Sequence, residues 1–181
     1  HATLAPRSAR PPATSRALPG ALACGVPAMW RAAGPSLMVR PDSQALWDRR
    51  RVAGFDLDGT LVTGKAGVFD WQWSITLSDW QMYCEDVVPR LRDLHAQGYR
   101  LAVFTNPGRR VKAVQAYVDA FVKELGVPVF VLMGQSIFKK PATDMWDYLE
   151  QQTLDGATVD RAASFFVGDG DVDAEFARRL Q

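Results

Sequence analysis

From residue 52 onward two kinds of apolar pattern take turns along the chain. Short, continuous apolar runs at 52–56, 99–105, 127–133 and 162–167 are each too brief for a helix and read as buried strands. Between them the apolar positions recur at helical spacing. Val87, Val88, Leu91 and Leu94 share one face of a helix predicted over 86–97, stopped by Gly98. Val111, Val114, Val118, Phe121, Val122 and Leu125 mark a second amphipathic helix, closed by Gly126. Pro141 is expected in the first turn of a third helix carrying Met145, Trp146 and Leu149. Strands alternating with helices predict an α/β fold: a Rossmann-like three-layer α/β/α arrangement with a mainly parallel sheet. Its strands should be buried on both faces, which is why they read as unbroken apolar runs. Residues 64–84 are aromatic and irregular, with Phe69, Trp71, Trp73, Trp80 and Tyr83, and no internal repeat is visible.

Charge divides the 181 residues at about the same place. Residues 1–51 hold eight arginines against Asp42 and Asp48, a balance of +6, and the rest carries −5. Up to residue 41 the chain has no acid and is rich in Ala, Pro, Arg and Ser, with seven prolines that break any long helix. The expected organisation is therefore a disordered leader over 1–50 and a folded domain over 51–181. An Arg- and Ser-containing, acid-poor leader also fits an organelle transit peptide. Two cysteines far apart, Cys24 and Cys84, indicate neither a disulfide framework nor a zinc site. No apolar run approaches the roughly 18 residues that span a bilayer. The chain starts with His1 and stops soon after a motif expected inside a domain, and reads as a fragment or an incomplete gene model.

The polar residues gather where such a sheet binds its ligands, beyond the carboxyl ends of the strands. The first strand ends in Asp56-Leu57-Asp58-Gly59-Thr60, the second in Thr105-Asn106, the fourth in Gly168-Asp169 with Asp171 and Asp173 close behind. Lys140 follows the third strand. Each type has a use in phosphoryl transfer. Asp56 is placed to attack phosphorus as a covalent nucleophile. Asp58 is placed to protonate the leaving oxygen and then to activate water. Gly59 allows the tight turn that brings both carboxylates over one point. Thr105 and Asn106 offer donors to phosphate oxygens, and Lys140 offers a positive charge for developing negative charge. Crowded carboxylates call for a cation; Mg²⁺ suits their hard oxygens, with Asp56 and Asp169 as direct ligands, Asp58 in the same set, and Asp173 or Asp171 beside them. As plain structural residues, the aspartates would be ordinary turn formers and Lys139 a surface neighbour of Lys140.

Phe55-Asp56-Leu57-Asp58-Gly59-Thr60-Leu61 resembles the first signature of the haloacid dehalogenase superfamily. Phe104-Thr105-Asn106, Lys140-Pro141 and Val167-Gly168-Asp169 resemble the second, third and fourth, in the right order. Within that superfamily four stretches resemble the phosphatase domain of polynucleotide kinase 3′-phosphatases: residues 53–61, Ser78-Asp79-Trp80, Gly98-Tyr99-Arg100-Leu101, and residues 138–147 with Lys-Pro followed by Met-Trp. The resemblance runs from about Arg51 to Asp169. It implies an aspartyl-phosphate on Asp56, an acid/base role for Asp58 and dependence on Mg²⁺. It also implies a further strand and helix after the fourth signature, so the domain reads as C-terminally incomplete. One departure is that Pro107 stands after Thr-Asn, where the family has Gln and a longer Gly-rich stretch.

Spacing adds an independent point. Asp56 to Thr105 and Thr105 to Lys140 leave little room for an inserted cap domain, so the site should be open to the end of a polymer. Trp71, Trp73 and Trp80 are packing residues or a platform for an unpaired base. Arg109, Arg110 and Lys112 are a solvated helix start or contacts to backbone phosphates. The expectation is a capless phosphatase acting on 3′-phosphate ends of DNA in strand-break repair, in the nucleus, or in mitochondrion or plastid if the leader is a transit peptide. Its rivals are a small-molecule phosphatase of the same superfamily and an inactive fragment serving as a binding module. No Gly-x-x-x-x-Gly-Lys-Ser/Thr loop is present, so no kinase chemistry is expected of this chain.

Overall fold

The computed structural model describes residues 29–65, 79–108, 110–153 and 158–181. The main sheet takes β1 (Arg31–Gly34), β2 (Leu37–Arg40), β3 (Val52–Phe55), β6 (Arg100–Thr105), β7 (Phe130–Gly134) and β8 (Phe165–Val167). Their order across the sheet is β1-β2-β7-β6-β3-β8. β7, β6, β3 and β8 run parallel, while β1 and β2 add an antiparallel hairpin at the β7 edge. A second, two-stranded ribbon pairs β4 (Val62–Gly64) with β5 (Trp80–Met82). The helices are α1 (Val87–Ala96), α2 (Val111–Leu125), α3 (Asp144–Gln151) and α4 (Asp171–Leu180). The expected α/β class with a mainly parallel sheet is present.

Successive strand residues point to opposite faces and so feed two cores. Ala53, Phe55, Leu101, Val103, Val131 and Met133 pack with α1 and α2 through Leu91, Val114, Val118 and Phe121. Val52, Ala102, Phe104, Phe130 and Leu132 pack on the other side with Met145, Trp146 and Leu149 of α3 and with Phe176 and Leu180 of α4. Helices on both faces cover the central strands, which is the physical origin of their continuous apolar sequence. α2 ends as predicted: Gly126 takes φ +70° and its N–H bonds to Val122 O.

Four expectations need correction. The sheet begins at Arg31, inside the stretch expected to be leader up to residue 50. Leu37 and Val39 alternate with Met38 and Arg40, a strand pattern too short to stand out against the surrounding Pro and Arg. Three contacts hold this segment: Trp30 Nε1 and Arg40 Nε both donate to Asp119, and Asp42 pairs with Arg100. The arginines of the charge run also serve the fold, because Arg49 donates to His95 O and Tyr99 O and Arg50 to Thr158 O. Pro141 lies ahead of α3, which starts at Asp144, and the Lys140–Pro141 bond is cis. Irregularity over 64–84 gives way at both ends to the β4–β5 ribbon; residues 66–78, with Trp71 and Trp73, lie outside the described residues. Finally, burial on both faces fails at β8. It pairs only with β3 among the described residues, and Phe165 and Val167 are exposed.

The Asp42–Arg100 pair has no water to share. Both side chains are fully buried, Arg100 Nε and Nη2 grip the two carboxylate oxygens at 2.7 and 3.0 Å, and Trp47 Nε1 donates to Asp42 Oδ1 at 2.9 Å. Phe130 underlies the guanidinium, 5.0 Å from its ring centre. Removing one partner strands the other charge in an apolar core, at a cost of about 3–5 kcal/mol. Asp42→Ala should lower the urea-unfolding free energy by about that amount, and replacing both residues by apolar ones should recover most of the loss. A loss under about 1 kcal/mol for the single change would show that the hairpin is held by its strand pairing alone.

Candidate active site

Four chain segments converge beyond the carboxyl ends of β3, β6, β7 and β8. β3 delivers Asp56, whose N–H continues the ladder by bonding Val167 O at 2.8 Å. The turn after it carries Asp58 and Gly59. Gly59 has φ +86°, and a Cβ there would lie 2.3 Å from Asp169 Oδ2. The turn thus needs a residue without a side chain twice over, for its backbone angle and for the carboxylate beside it. Past β8, Gly168 is equally tight, since its Cβ would meet Asp173 Cβ at 2.3 Å. Gly59 thus lets the loop after β3 close on the loop after β8, and Gly168 lets the first turn of α4 fold back over the end of β8.

Lys140 sits among the acids. It follows a 3-10 turn at Ser136–Phe138 and is buried, and its Nζ donates to Asp56 Oδ1 and, at 2.5 Å, to Asp173 Oδ1. Phe166 lies beneath the ammonium, 5.4 Å from ring centre to Nζ. The main chain of Lys140 is fixed by Asn106, whose side-chain amide both donates to Lys140 O (3.2 Å) and accepts from Lys140 N (3.0 Å). Asn106 therefore holds the main chain of the lysine with one N–H and the oxygen of its amide, and its second N–H makes no hydrogen bond among the described residues. Thr105, at the end of β6, is buried.

Asp56, Asp169 and Asp173 each place a carboxylate oxygen within 4.8 Å of the others. Asp173 is in the first turn of α4 and also accepts from Gly170 N–H at 3.2 Å, which stabilises the helix start. Of the two candidates left open by the sequence, Asp173 joins the group; Asp171 is exposed at the head of α4 and is not among its three members. Asp58 is likewise outside the group. Its Oδ1 accepts a 2.6 Å hydrogen bond from Tyr117 and its Oδ2 lies 3.7 Å from Arg110. The donor set fits a hard divalent cation: three carboxylates, with Lys140 as their one cationic contact among the described residues, leave negative charge for an ion such as Mg²⁺ to balance.

Burial dominates the ionisation of both carboxylates of the first turn. It pushes the Asp56 carboxyl up to about 6, against the opposing pull of Lys140. It also raises Asp58, against the hydrogen bond from Tyr117 and the charge of Arg110. A raised acid suits proton donation near neutral pH. A bound divalent cation would add a further force toward ionised Asp56.

The family model described as polynucleotide kinase 3 phosphatase matches residues 51–177 of this chain. The chain belongs to that family. Among its relatives, a polynucleotide 3′-phosphatase of Arabidopsis thaliana, ZDP, is 26% identical over 179 residues, covering 82% of this chain and 25% of the relative. A bifunctional polynucleotide phosphatase/kinase of Schizosaccharomyces pombe is 30% identical over 129 residues, covering 66% and 30%. An uncharacterized 20.8 kDa protein of Autographa californica nuclear polyhedrosis virus is 33% identical over 130 residues, covering 67% and 66%. The chain thus spans less than two thirds of the length of each. No helix among the described residues is long and apolar enough to cross a membrane.

Against this polynucleotide kinase 3 phosphatase site, the sequence pattern concealed one side chain. Tyr117 stands in the apolar stripe of α2 and is fully buried, yet its hydroxyl reaches Asp58. It lies seven residues, two helical turns, after Arg110, so both meet the same carboxylate from one helix face. Of the other candidates, Lys112 and Lys139 are exposed, Trp80 packs against the core of α1 and α2, and Arg109 lies outside the described residues.

A raised Asp56 sets the sign of a pH effect. Its folded pKa, about 6, lies above the ordinary 3.8, so protonation favours the folded state. That contribution is complete below pH 3.8 and is lost as pH rises through about 6, an effect on the order of 3 kcal/mol. In EDTA, the melting temperature of the wild type should therefore fall relative to Asp56→Asn between pH 4 and 7. At pH 7.5, Mg²⁺ should raise the wild type and leave the variant nearly unmoved. A difference that is flat with pH and indifferent to Mg²⁺ would contradict this assignment of Asp56.

Proposed function

We propose that this chain is a phosphoric monoester hydrolase that removes the 3′-phosphate from DNA ends. The observation that carries the reading is the junction of Asp56, Lys140, Asp169 and Asp173, a carboxylate nucleophile with a buried ammonium and two cation-binding acids at one point. Family membership supplies the substrate class, and two relatives carry polynucleotide phosphatase names.

On this reading Asp56, Asp169 and Asp173 would hold Mg²⁺, which would screen the carboxylates and supply Lewis-acid polarisation of the phosphoryl group. Asp56 attacks phosphorus; a P–O bond forms to its carboxylate and the bond to the 3′-oxygen breaks. Asp58 gives its proton to that oxygen, so the product is a 3′-hydroxyl. Asp58 then takes a proton from water, whose oxygen attacks phosphorus and frees Asp56 as inorganic phosphate leaves. Lys140 offsets the charge that gathers on the phosphoryl group, and Thr105 lines the same strand end. The site is of the capless haloacid dehalogenase type and admits a polymer end directly. A 3′-hydroxyl is what a polymerase or ligase needs, so the process proposed is DNA strand-break repair, in the nucleus, or in mitochondrion or plastid if the N-terminal segment is a transit peptide.

Phosphate release from a 3′-phosphorylated oligonucleotide, with and without Mg²⁺, tests the reading. Release should require the metal and fall by about 10³-fold or more in Asp56→Asn. Turnover of small phosphomonoesters with none of the oligonucleotide would instead identify a small-molecule phosphatase. No turnover of either by a cooperatively melting protein would leave a binding module.

A further inference from the structure

Resting on that reading, we propose that Tyr117 is a positioning residue for proton transfer: its hydroxyl engages one oxygen of Asp58 so that the other faces the leaving group. Tyr117 belongs to the middle of α2, where the neighbouring stripe residues Val114, Val118 and Phe121 are purely apolar and equally buried. A phenylalanine would fill the place as well for packing. The hydroxyl, however, donates to Asp58 Oδ1 at 2.6 Å, a short charge-assisted bond across 59 residues of sequence. A phenol inside a core is expected to have a partner; here the partner is the carboxylate the mechanism needs.

The two oxygens of Asp58 are thereby made unequal. Oδ1 accepts from Tyr117, and Oδ2 accepts no hydrogen bond among the described residues, with the Arg110 guanidinium 3.7 Å away. When Asp58 is protonated, a proton on Oδ1 would compete with the phenol for the same space, so the proton resides on Oδ2. That is the oxygen left to give it to the departing alkoxide and later to receive one from water. The phenol itself loses no proton at any stage. It fixes the carboxyl plane and the identity of the working oxygen, and α2 sets its height because Arg110 and Tyr117 are two turns apart on one face.

Leaving-group chemistry separates this role from packing. An alkoxide must be protonated as it leaves; p-nitrophenolate need not be. Single-turnover release of the leaving group is measured for wild type, Tyr117→Phe, Asp58→Asn and the double variant, using a 3′-phosphorylated dinucleotide, a simple alkyl phosphate and p-nitrophenyl phosphate. Tyr117→Phe should slow release from both alkyl substrates by about tenfold or more, and leave the p-nitrophenolate burst within about twofold. In the Asp58→Asn background the same change should add nothing, since the two residues act as one unit. Equal slowing with all three substrates would make Tyr117 a structural residue and overturn the proposal, as would no slowing or an additive double variant. Wild-type turnover of the alkyl phosphate without the dinucleotide would sink the DNA-end reading while the alkyl and aryl pair still decides the tyrosine; an Asp58→Asn enzyme as fast as wild type on both alkyl substrates would refute the acid role of Asp58 and the positioning role with it, while leaving the DNA-end reading standing.

Discussion

The ammonium of Lys140, bonded at once to Asp56 and Asp173 inside the protein, is the contact on which the rest of the site depends. Each partner arrives from a different part of the chain: Asp56 from the end of β3, Asp173 from the first turn of α4, Lys140 from the loop after β7. An unpaired charge so deeply buried would be costly, and so would two like charges at this separation without a cation between them. Pairing makes the cluster tolerable and also fixes where its members meet. Asn106 extends the same logic outward by holding the lysine's main chain with both ends of its amide. The loop after β3 can come this close to Asp169 only because Gly59 carries no side chain, and Asp173 can fold back beside Gly168 for the same reason.

Around this junction the fold divides its labour. The parallel strands align their carboxyl ends, and the two helical layers keep them dry. α2 serves packing and chemistry together, since the stripe that buries Val114 and Val118 also carries Tyr117 to Asp58. At the far side of the sheet, the buried Asp42–Arg100 pair does for the β1–β2 hairpin what Lys140 does for the site: it makes a polar contact specific by leaving it no alternative partner in water.

Much of this was legible in the sequence, and the reasons for the exceptions are physical. The central strands and α2 announce themselves because burial on both faces, or on one helical stripe, leaves a long apolar signature. Asp56, Asp58, Lys140 and Asp169 stand out because unlike residues fall at successive strand ends. The β1–β2 hairpin was hidden because four-residue strands in an Arg- and Pro-rich stretch carry too few positions to show alternation, and its anchor, Arg100, reads as a charge at a strand start. Tyr117 was hidden for the opposite reason, as one more large residue in an apolar stripe whose hydroxyl has no sequence signature. Asn106 was legible as a site residue, while its engagement with the Lys140 main chain depends on a contact 34 residues away. The choice between Asp171 and Asp173 required the helix start that points only the latter inward.

The central claim is that Asp56 forms the bond to phosphorus. The most direct measurement is acid-quenched reaction with an oligonucleotide bearing a labelled 3′-phosphate, followed by peptide mapping. The account predicts Mg²⁺-dependent, acid-stable label on the peptide containing Asp56 in the wild type, and in Asp58→Asn the same label both formed and lost more slowly. Phosphate release at the full rate with no protein-bound label in either protein, or label on any other residue, would contradict it.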